Sequence, residues 1–327
     1  MDPSANGEDS LLVRLAWLYY VAGLNQEEIA RRLGLSRFKI TRLLAQAREK
    51  GIVKISLDSR SAETLALAER LSEAHGLTEC IVTPPLEAED ADEVIARQAV
   101  GIAAAGLLGR RLQGAKAVTV GLSWGRTVAA LVATFPAISR PDARFVSLMG
   151  SLSRSARSNP LEMVQALAQA CGGEAYVLPT PYLVDTESDF AVVMNQSIVR
   201  EAIAVGVAAD FYISSFGVCS RDSFIYRPGL IGDGEIDELI AAGAVADMLG
   251  KFFDADGKLV DSSLNARTPS IPIEAIRARD LVLLAAGRSK ESALRAILRS
   301  GLVNRLVVDG NLASALVAGG PPGGAAA

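Results

Sequence analysis

Histidine is almost absent: His75 is the only one in 327 residues. A metal site built on several imidazoles is excluded, and histidine-dependent acid–base chemistry has little to draw on. Cysteine is scarce too. Cys80, Cys171 and Cys219 are odd in number and widely spaced, which argues against a disulfide framework and leaves no C-x-x-C motif. Long apolar runs are missing. The longest, Ala99 to Gly109, is too short to span a bilayer and is flanked by Arg97, Arg110 and Arg111. No leader-like segment opens the chain. A reduced, cytoplasmic setting without a membrane partner is expected. Neither G-x-G-x-x-G nor G-x-x-x-x-G-K-[ST] occurs, so dinucleotide and Walker-type sites have no support and no cofactor is expected.

What is present supports two domains. Half of the residues are hydrophobic, enough for one large domain with a full core beside a smaller one. Net charge is −4, yet it is unevenly spread. From Arg31 to Lys54 there are eight Lys/Arg against one acid, Glu49, whereas residues 59–327 hold 24 basic and 30 acidic residues. A short basic segment on an acidic chain points to a local polyanion contact.

Periodicity divides the chain further. Residues 1–9 are polar and expected to be disordered. Residues 10–58 read as a helix, a helix-turn-helix and a short strand (Val53–Leu57). An amphipathic helix, expected over 61–75, makes residues 59–75 a linker or the start of the second domain. It closes on EAHGL, where His75 precedes a glycine and a cation would be an ordinary stabilising feature. Residues 76–318 alternate strand-like and helical runs. Strands are expected at 79–83, 117–121, 144–148, 174–178, 210–214, 281–286 and 305–308. Helices are expected at 92–113, 126–134, 160–171, 188–208, 290–300 and 312–317. Continuous apolar strands alternating with helices imply an α/β, doubly wound parallel sheet of Rossmann-like type. The tail GGPPGGAAA (319–327) is of low complexity and expected to be disordered.

The run NQEEIARRLGLSRFKITRLL (25–44) has the spacing of a helix-turn-helix. Ile29, Leu33, Leu35, Ile40 and Leu43 supply its core. Ala30 is small where two helices cross, and Gly34 suits a turn needing positive φ. Asn25 with Glu28 forms a capping box, and Ser36 caps the second helix. That helix presents Arg37, Phe38, Lys39, Thr41 and Arg42 toward base edges. Arg37 and Arg42 suit guanine, and Phe38 suits a thymine methyl. Gln26, Arg31, Arg48 and Lys50 suit phosphates. The Leu11–Val21 helix, with Trp17 and Tyr20, would brace the unit. The plain alternative is an αα-hairpin with no role on DNA.

VTVGLSWGRTVAAL (118–131) reads as strand, Gly/Ser-rich loop and helix. Gly121 and Gly125 would let a ligand approach the backbone. The helix N-terminus, Ser123, Thr127 and Arg126 favour an anion such as phosphate. The plain alternative is an ordinary βα turn. The same letters fit G-x-S-x-G, a hydrolase nucleophile elbow. His75 lies 48 residues before Ser123, however, and no histidine follows it, so the base is missing. Asp254-Ala-Asp256-Gly257 reads as a hairpin turn rather than a calcium loop, and Phe252/Phe253 as core.

The string QEEIARRLGLSRFKITRLLAQAREKGIVKI resembles the N-terminus of the SorC/DeoR-type sugar-responsive regulators, with Phe38-Lys39 where that family usually has a Pro-Thr-like pair. GLSWGRT, SLMGS (147–151), ADMLGKFFDADGKLV (246–260), AAGRSKESALRAIL (285–298) and NRLVVDGNLASAL (304–316) are similar to its sugar-binding domain. The resemblance implies a non-enzymatic, homodimeric or homotetrameric repressor or activator. It would bind operator DNA and a phosphorylated sugar or polyol. Gly121, Ser123, Trp124, Gly125, Arg126 and Thr127 would hold the phosphate, and Asp247 and Lys290 would face sugar hydroxyls. Gly150, Ser151 and Gly217 would line the pocket. Gly287-Arg288, where the family often has Gly-Gly, would alter which ligand fits. The competing reading is a sugar-phosphate isomerase or deaminase carrying a DNA-binding head.

Overall fold

The computed structural model describes residues 3–53, 61–87, 93–114, 116–152, 159–223, 225–227 and 229–319. They fall into two compact units, Met1–Ser56 and Leu57–Ala327.

The first unit consists of α1 (Pro3–Ala16), a π-type turn (Trp17–Val21), α2 (Gln26–Leu33) and α3 (Arg37–Glu49). Helix begins at Pro3, not beyond a disordered stretch at 1–9. Proline suits a first helical turn, where its missing N–H would be unbonded anyway. Leu12 and Leu15 of α1 bury against Ile29 and Ala30 of α2 and Ile40, Leu43, Leu44 and Ala47 of α3. Each such leucine contributes about 1.5–3 kcal/mol. Trp17 and Tyr20 do not form the brace, since they stand 64% and 41% exposed. The expected strand at 53–57 lies almost wholly outside the described residues.

The second unit opens with α4 (Ala62–His75), which packs on β1 (Glu79–Val82) and on the last helix, Gly310–Ala318. Then come α5 (Glu93–Arg111), β2 (Val118–Leu122), α6 (Arg126–Thr134), β3 (Ala143–Ser147), helix Pro160–Cys171 and β4 (Glu174–Tyr176). Helices Glu187–Met194 and Ser197–Val207 lead to β5 (Phe211–Ser215) and β6 (Gly217–Val218). After helix Asp233–Ala241 follow β7 (Ala244–Met248), β8 (Lys251–Asp254), β9 (Asp280–Ala285), helix Glu291–Arg299 and β10 (Arg305–Val308).

All seven expected strands pair in parallel, in the order β1-β10-β9-β5-β2-β3-β4. The helix expected over 188–208 breaks at Asn195–Gln196. Side chains tie the broken ends: Gln196 donates to the Val192 carbonyl, and Arg200 donates to that of Asn195. The antiparallel sheet β6-β7-β8 was not expected. Its β7–β8 turn is Leu249-Gly250, at φ 57° and 69°. Asn-Gly usually signals such a turn, and leucine conceals it. The hairpin reading of 254–257 agrees with a Phe253–Leu259 bridge. His75 is no helix-capping cation, because burial and then the nearby Arg295 and Arg299 lower its pKa below the ordinary 6.5. Among the described residues no single helix is long and apolar enough to cross a membrane.

Strand order places the site. From β2 the chain runs outward through β3 to β4, then returns to set β5 on the other side of β2. From β5 it continues the opposite way through β9 and β10. Connections leave β2 and β5 in opposite directions, which opens a crevice at the carboxyl ends of these two strands.

Gly101 makes the α5–α6 crossing possible, because a Cβ there would lie 2.6 Å from the Ala130 carbonyl carbon. Gly109, on the same helix, has open space. Gly101→Ala is expected to destabilise by about 1–3 kcal/mol, and Gly109→Ala to stabilise by about 0.5–1 kcal/mol. Thermal melts of the pair check this, and shifts of the same sign would refute the packing account.

Candidate functional site

Local capping fixes the start of α3. The Asn25 side chain accepts from the Glu27 and Glu28 amides, and Glu28 accepts from the Asn25 amide at 2.8 Å. Gly34 closes α2 at φ 65°, ψ 32°, a conformation that disfavours a side chain. Ser36 accepts from the Lys39 amide at 3.2 Å, so its hydroxyl serves the helix cap. Ile40 and Leu43 face the core, whereas Arg37, Phe38, Lys39, Thr41, Arg42 and Arg48 are exposed, Phe38 by 80%. Among the described residues no carboxylate pairs with Arg37, Lys39 or Arg42. The Thr41 hydroxyl donates to Gln26 Oε1 at 2.9 Å. That bond joins α3 to the first turn of α2, so both residues set the helix pair as well as bordering the cationic face.

The second constellation sits at the β2/β5 crevice, around a cavity of about 350 Å³. Trp124, Gly125 and Arg126 reach it from the β2–α6 loop, and Ser215, Phe216 and Gly217 from the end of β5. Asp247 and Leu249 enter from β7 and its turn, and Ser289 and Lys290 from the loop after β9. Of the expected effector residues, the cavity therefore collects Trp124, Gly125, Arg126, Gly217, Asp247 and Lys290.

The others sit elsewhere. Ser123 is buried: its Oγ accepts from Ser214 Oγ at 2.9 Å and from the Ser215 amide at 3.3 Å. That hydroxyl bolts β2 to β5 and itself donates to the Trp124 carbonyl at 3.3 Å, and none of these partners is a base. Thr127 is 1% exposed within α6. A Cβ at Gly121 would strike Leu148 and Tyr212, so this glycine serves strand packing. Gly150 is pressed against Pro181 and Thr180, and Ser151 bonds the same segment through its backbone. Arg288 lines a neighbouring cavity of about 480 Å³, with Asp309 and Asn311, rather than the first one.

Sequence reading missed Ser215, Phe216, Leu249, Ser289 and Glu93. Being at or just beyond the carboxyl end of a parallel strand was the one signal available for Ser215 and Phe216. For Leu249 there was none. It is the one non-glycine with positive φ among the described residues, it is buried, and it lines the cavity. Such a conformation costs about 1–2 kcal/mol, the kind of strain found at ligand sites.

Charge is concentrated here. Arg126 heads α6, whose N-terminus already carries positive partial charge, and among the described residues no carboxylate pairs with it. Burial and then Arg97 lower its pKa. Lys290 Nζ donates to the Phe216 carbonyl at 3.1 Å and lies 5.1 Å from that ring's centroid. Burial, then Arg126, bring its pKa down to about 8 against an ordinary 10.5. Burial raises Asp247 to about 6 from 3.8, partly offset by Lys290. Glu93 pairs with Arg97 at 3.2 Å and accepts from Ser289. Two cations, Arg126 and Lys290, thus line a cavity that also has the nearly buried Asp247 and the carboxylates of Glu93 and Asp222 on its wall. That arrangement suits a ligand with an anionic group and hydroxyls. Among the described residues no group of three or more His, Cys, Asp or Glu could hold a metal.

Comparison with known proteins gives the chain its relatives. The family model described as "Putative sugar-binding domain" matches residues 59–318. The erythritol catabolism regulatory protein EryD of Brucella abortus (strain 2308) is 35% identical over 320 residues, 98% of this chain and 99% of its own. The transcriptional regulator LsrR of Escherichia coli O157:H7 is 31% identical over 314 residues, 95% of each. The full-length sorbitol operon regulator SorC of Klebsiella pneumoniae superposes with a TM-score of 0.70 at 27% identity, covering 94% of this chain and 98% of its own.

Lys290 and Asp247 both oppose folding at neutral pH. The folded pKa of Lys290 lies below its unfolded value, so its penalty is complete below pH 8 and vanishes above 10.5. That of Asp247 lies above, so its penalty is absent below pH 3.8 and complete above 6. Lys290→Met is expected to melt higher than the parent at pH 7, the advantage shrinking as pH rises through 8 to 10.5. Melts across that range check it, and a variant melting lower at pH 7 contradicts the reading.

Proposed function

Because the chain belongs to the SorC/DeoR-type family of sugar-binding transcriptional regulators, we propose that it controls a carbohydrate or polyol catabolic operon in response to a phosphorylated sugar or polyol. Arg126 carries the reading of the effector. A cation without a carboxylate partner among the described residues heads a helix, over a cavity that also holds Lys290 and Asp247. A phosphate satisfies the first end and hydroxyls the second. EryD takes its name from erythritol catabolism, which puts tetritol phosphates first among the candidates.

The α3 face binds operator DNA. Arg37, Lys39 and Arg42 project from its first turns with Phe38 beside them, the placement from which recognition helices read major-groove edges. Arg48 and Gln26 contact phosphates, and Ser36 and Thr41 hold the helix in register. Two-fold operators need two heads, and the exposed apolar stripe Val13, Trp17, Tyr20 and Val21 on α1 and its final turn supports a homodimer or homotetramer. The setting is the cytoplasm, where three free cysteines and operator DNA are compatible. The molecule is a regulator rather than an enzyme: its named relatives are regulators, and residues 76–327 hold no histidine for the usual proton transfers.

Arg37→Ala combined with Arg42→Ala is expected to abolish specific operator retention in a gel shift while leaving the melt unchanged, since both side chains are exposed. Erythritol 4-phosphate, ribitol 5-phosphate and sorbitol 6-phosphate are tested by thermal shift on the parent. At least one is expected to stabilise it and to release operator. Undiminished retention by the double variant defeats the DNA assignment, and silence across the panel defeats the effector assignment. Turnover of any of the three would favour an isomerase-like enzyme.

A further inference from the structure

The charges lining the cavity follow an order along one stretch of backbone. Ser215, Phe216 and Gly217 run past it in sequence as β5 gives way to β6. Gly125, beside Arg126, rests on the Ser215 hydroxyl so closely that a Cβ would collide with it. Lys290 Nζ donates to the Phe216 carbonyl at 3.1 Å. Asp247 pairs with Gly217 in the β6–β7 ladder, and its carboxylate leaves no room for a Cβ there. The order is thus Arg126, Lys290, Asp247, with the two ends set two residues apart, about 7 Å of extended backbone. Two other carboxylates line the cavity, and each already has a cation in contact. Glu93 pairs with Arg97 at 3.2 Å, and Asp222 with Arg227 at 2.7 Å. Asp247 differs. It is 8% exposed and, among the described residues, has no hydrogen bond or salt bridge.

A cavity so arranged favours negative charge at one end only. A phosphate beside Arg126 meets a cation and the N-terminus of α6. An anionic group at the Gly217 end faces the Asp247 carboxylate instead, where solvent screens little, and like charges set against each other cost affinity. A hydroxyl at that end donates to the same carboxylate. We propose that Asp247 is a charge filter: the cavity takes phosphate monoesters whose far end is neutral and turns away those carrying a second anionic group there, phosphorylated sugar acids among them. The assignment rests on the phosphorylated-effector reading above and narrows its ligand class. Specificity then comes from a repulsive element as well as from attractive ones. Lys290 does not cancel the filter, because its ammonium is engaged by the Phe216 carbonyl, between the two ends. The filter separates a polyol phosphate from the acid formed by oxidising its terminal carbon.

Binding to the whole chain is measured calorimetrically at pH 7, above the value of about 6 to which burial raises Asp247. Three matched pairs are used: erythritol 4-phosphate and erythronate 4-phosphate, ribitol 5-phosphate and ribonate 5-phosphate, sorbitol 6-phosphate and gluconate 6-phosphate. Within a pair only the terminal carbon differs, hydroxymethyl against carboxylate. Whichever polyol phosphate binds the parent is expected to bind at least tenfold more tightly than its acid. Asp247→Asn keeps the shape and removes the charge. It is expected to fold, since the buried charge opposes folding. It is also expected to bring the pair within about threefold and to bind the acid more tightly than the parent does. Asp222→Asn, at a carboxylate already paired on the surface, is expected to keep the parent's preference. An acid that binds the parent as tightly as its polyol overturns the proposal and leaves the phosphate reading standing. A preference that survives Asp247→Asn also overturns it, because shape and not charge then rejects the acid. So does a preference that Asp222→Asn abolishes. A parent that binds none of the six removes the effector reading itself, and this assignment with it.

Discussion

A carboxylate and an ammonium, Asp247 and Lys290, are held largely out of water at the one place where the sheet's connections diverge. Neither is comfortable there. Burial moves both pKa values toward neutrality, and their mutual attraction offsets only part of the shift. Folding alone gives no reason to keep such a pair, since apolar residues of similar size are often as stable or more so. A ligand of the kind proposed above would give one, because a phosphate and hydroxyls would supply partners for both groups. Leu249, in a left-handed conformation, adds backbone strain at the same cavity.

The parallel sheet makes this placement possible. Ser214 and Ser123 bond across β5 and β2 at 2.9 Å, fixing the two strands whose ends carry the loops. Gly121 lets Leu148 and Tyr212 close over the same seam. Residues that looked like ligand contacts in the GLSWGRT loop thus divide into two sets. Trp124, Gly125 and Arg126 face the cavity, while Gly121, Ser123 and Thr127 hold the scaffold that aims them.

That division marks the limit of what was legible in the letters. Strand existence was readable because buried parallel strands are continuously apolar, and Leu281 to Ala286 could hardly be anything else. The helix-turn-helix was readable because Asn25, Glu28, Gly34 and Ser36 each have a capping or turn role that spacing alone reveals. Side-chain direction in a loop has no such period. Ser123 and Trp124 are adjacent, yet one turns into the β5 seam and the other into the cavity. The β6–β8 sheet escaped because its tight turn uses Leu249, and Arg288 went to the wrong cavity because one residue of register separates it from the Ser289-Lys290 wall.

The central claim is that an anion enters the field of Lys290 when the effector binds. Calorimetric titration of a phosphorylated polyol at pH 8 to 9, repeated in buffers of different ionisation enthalpy, measures the protons exchanged on binding. With Lys290 half-deprotonated near pH 8 in the free protein, a bound phosphate should raise its pKa and draw in a fraction of a proton per site. Binding with no proton uptake across that range would place the phosphate elsewhere and contradict the account.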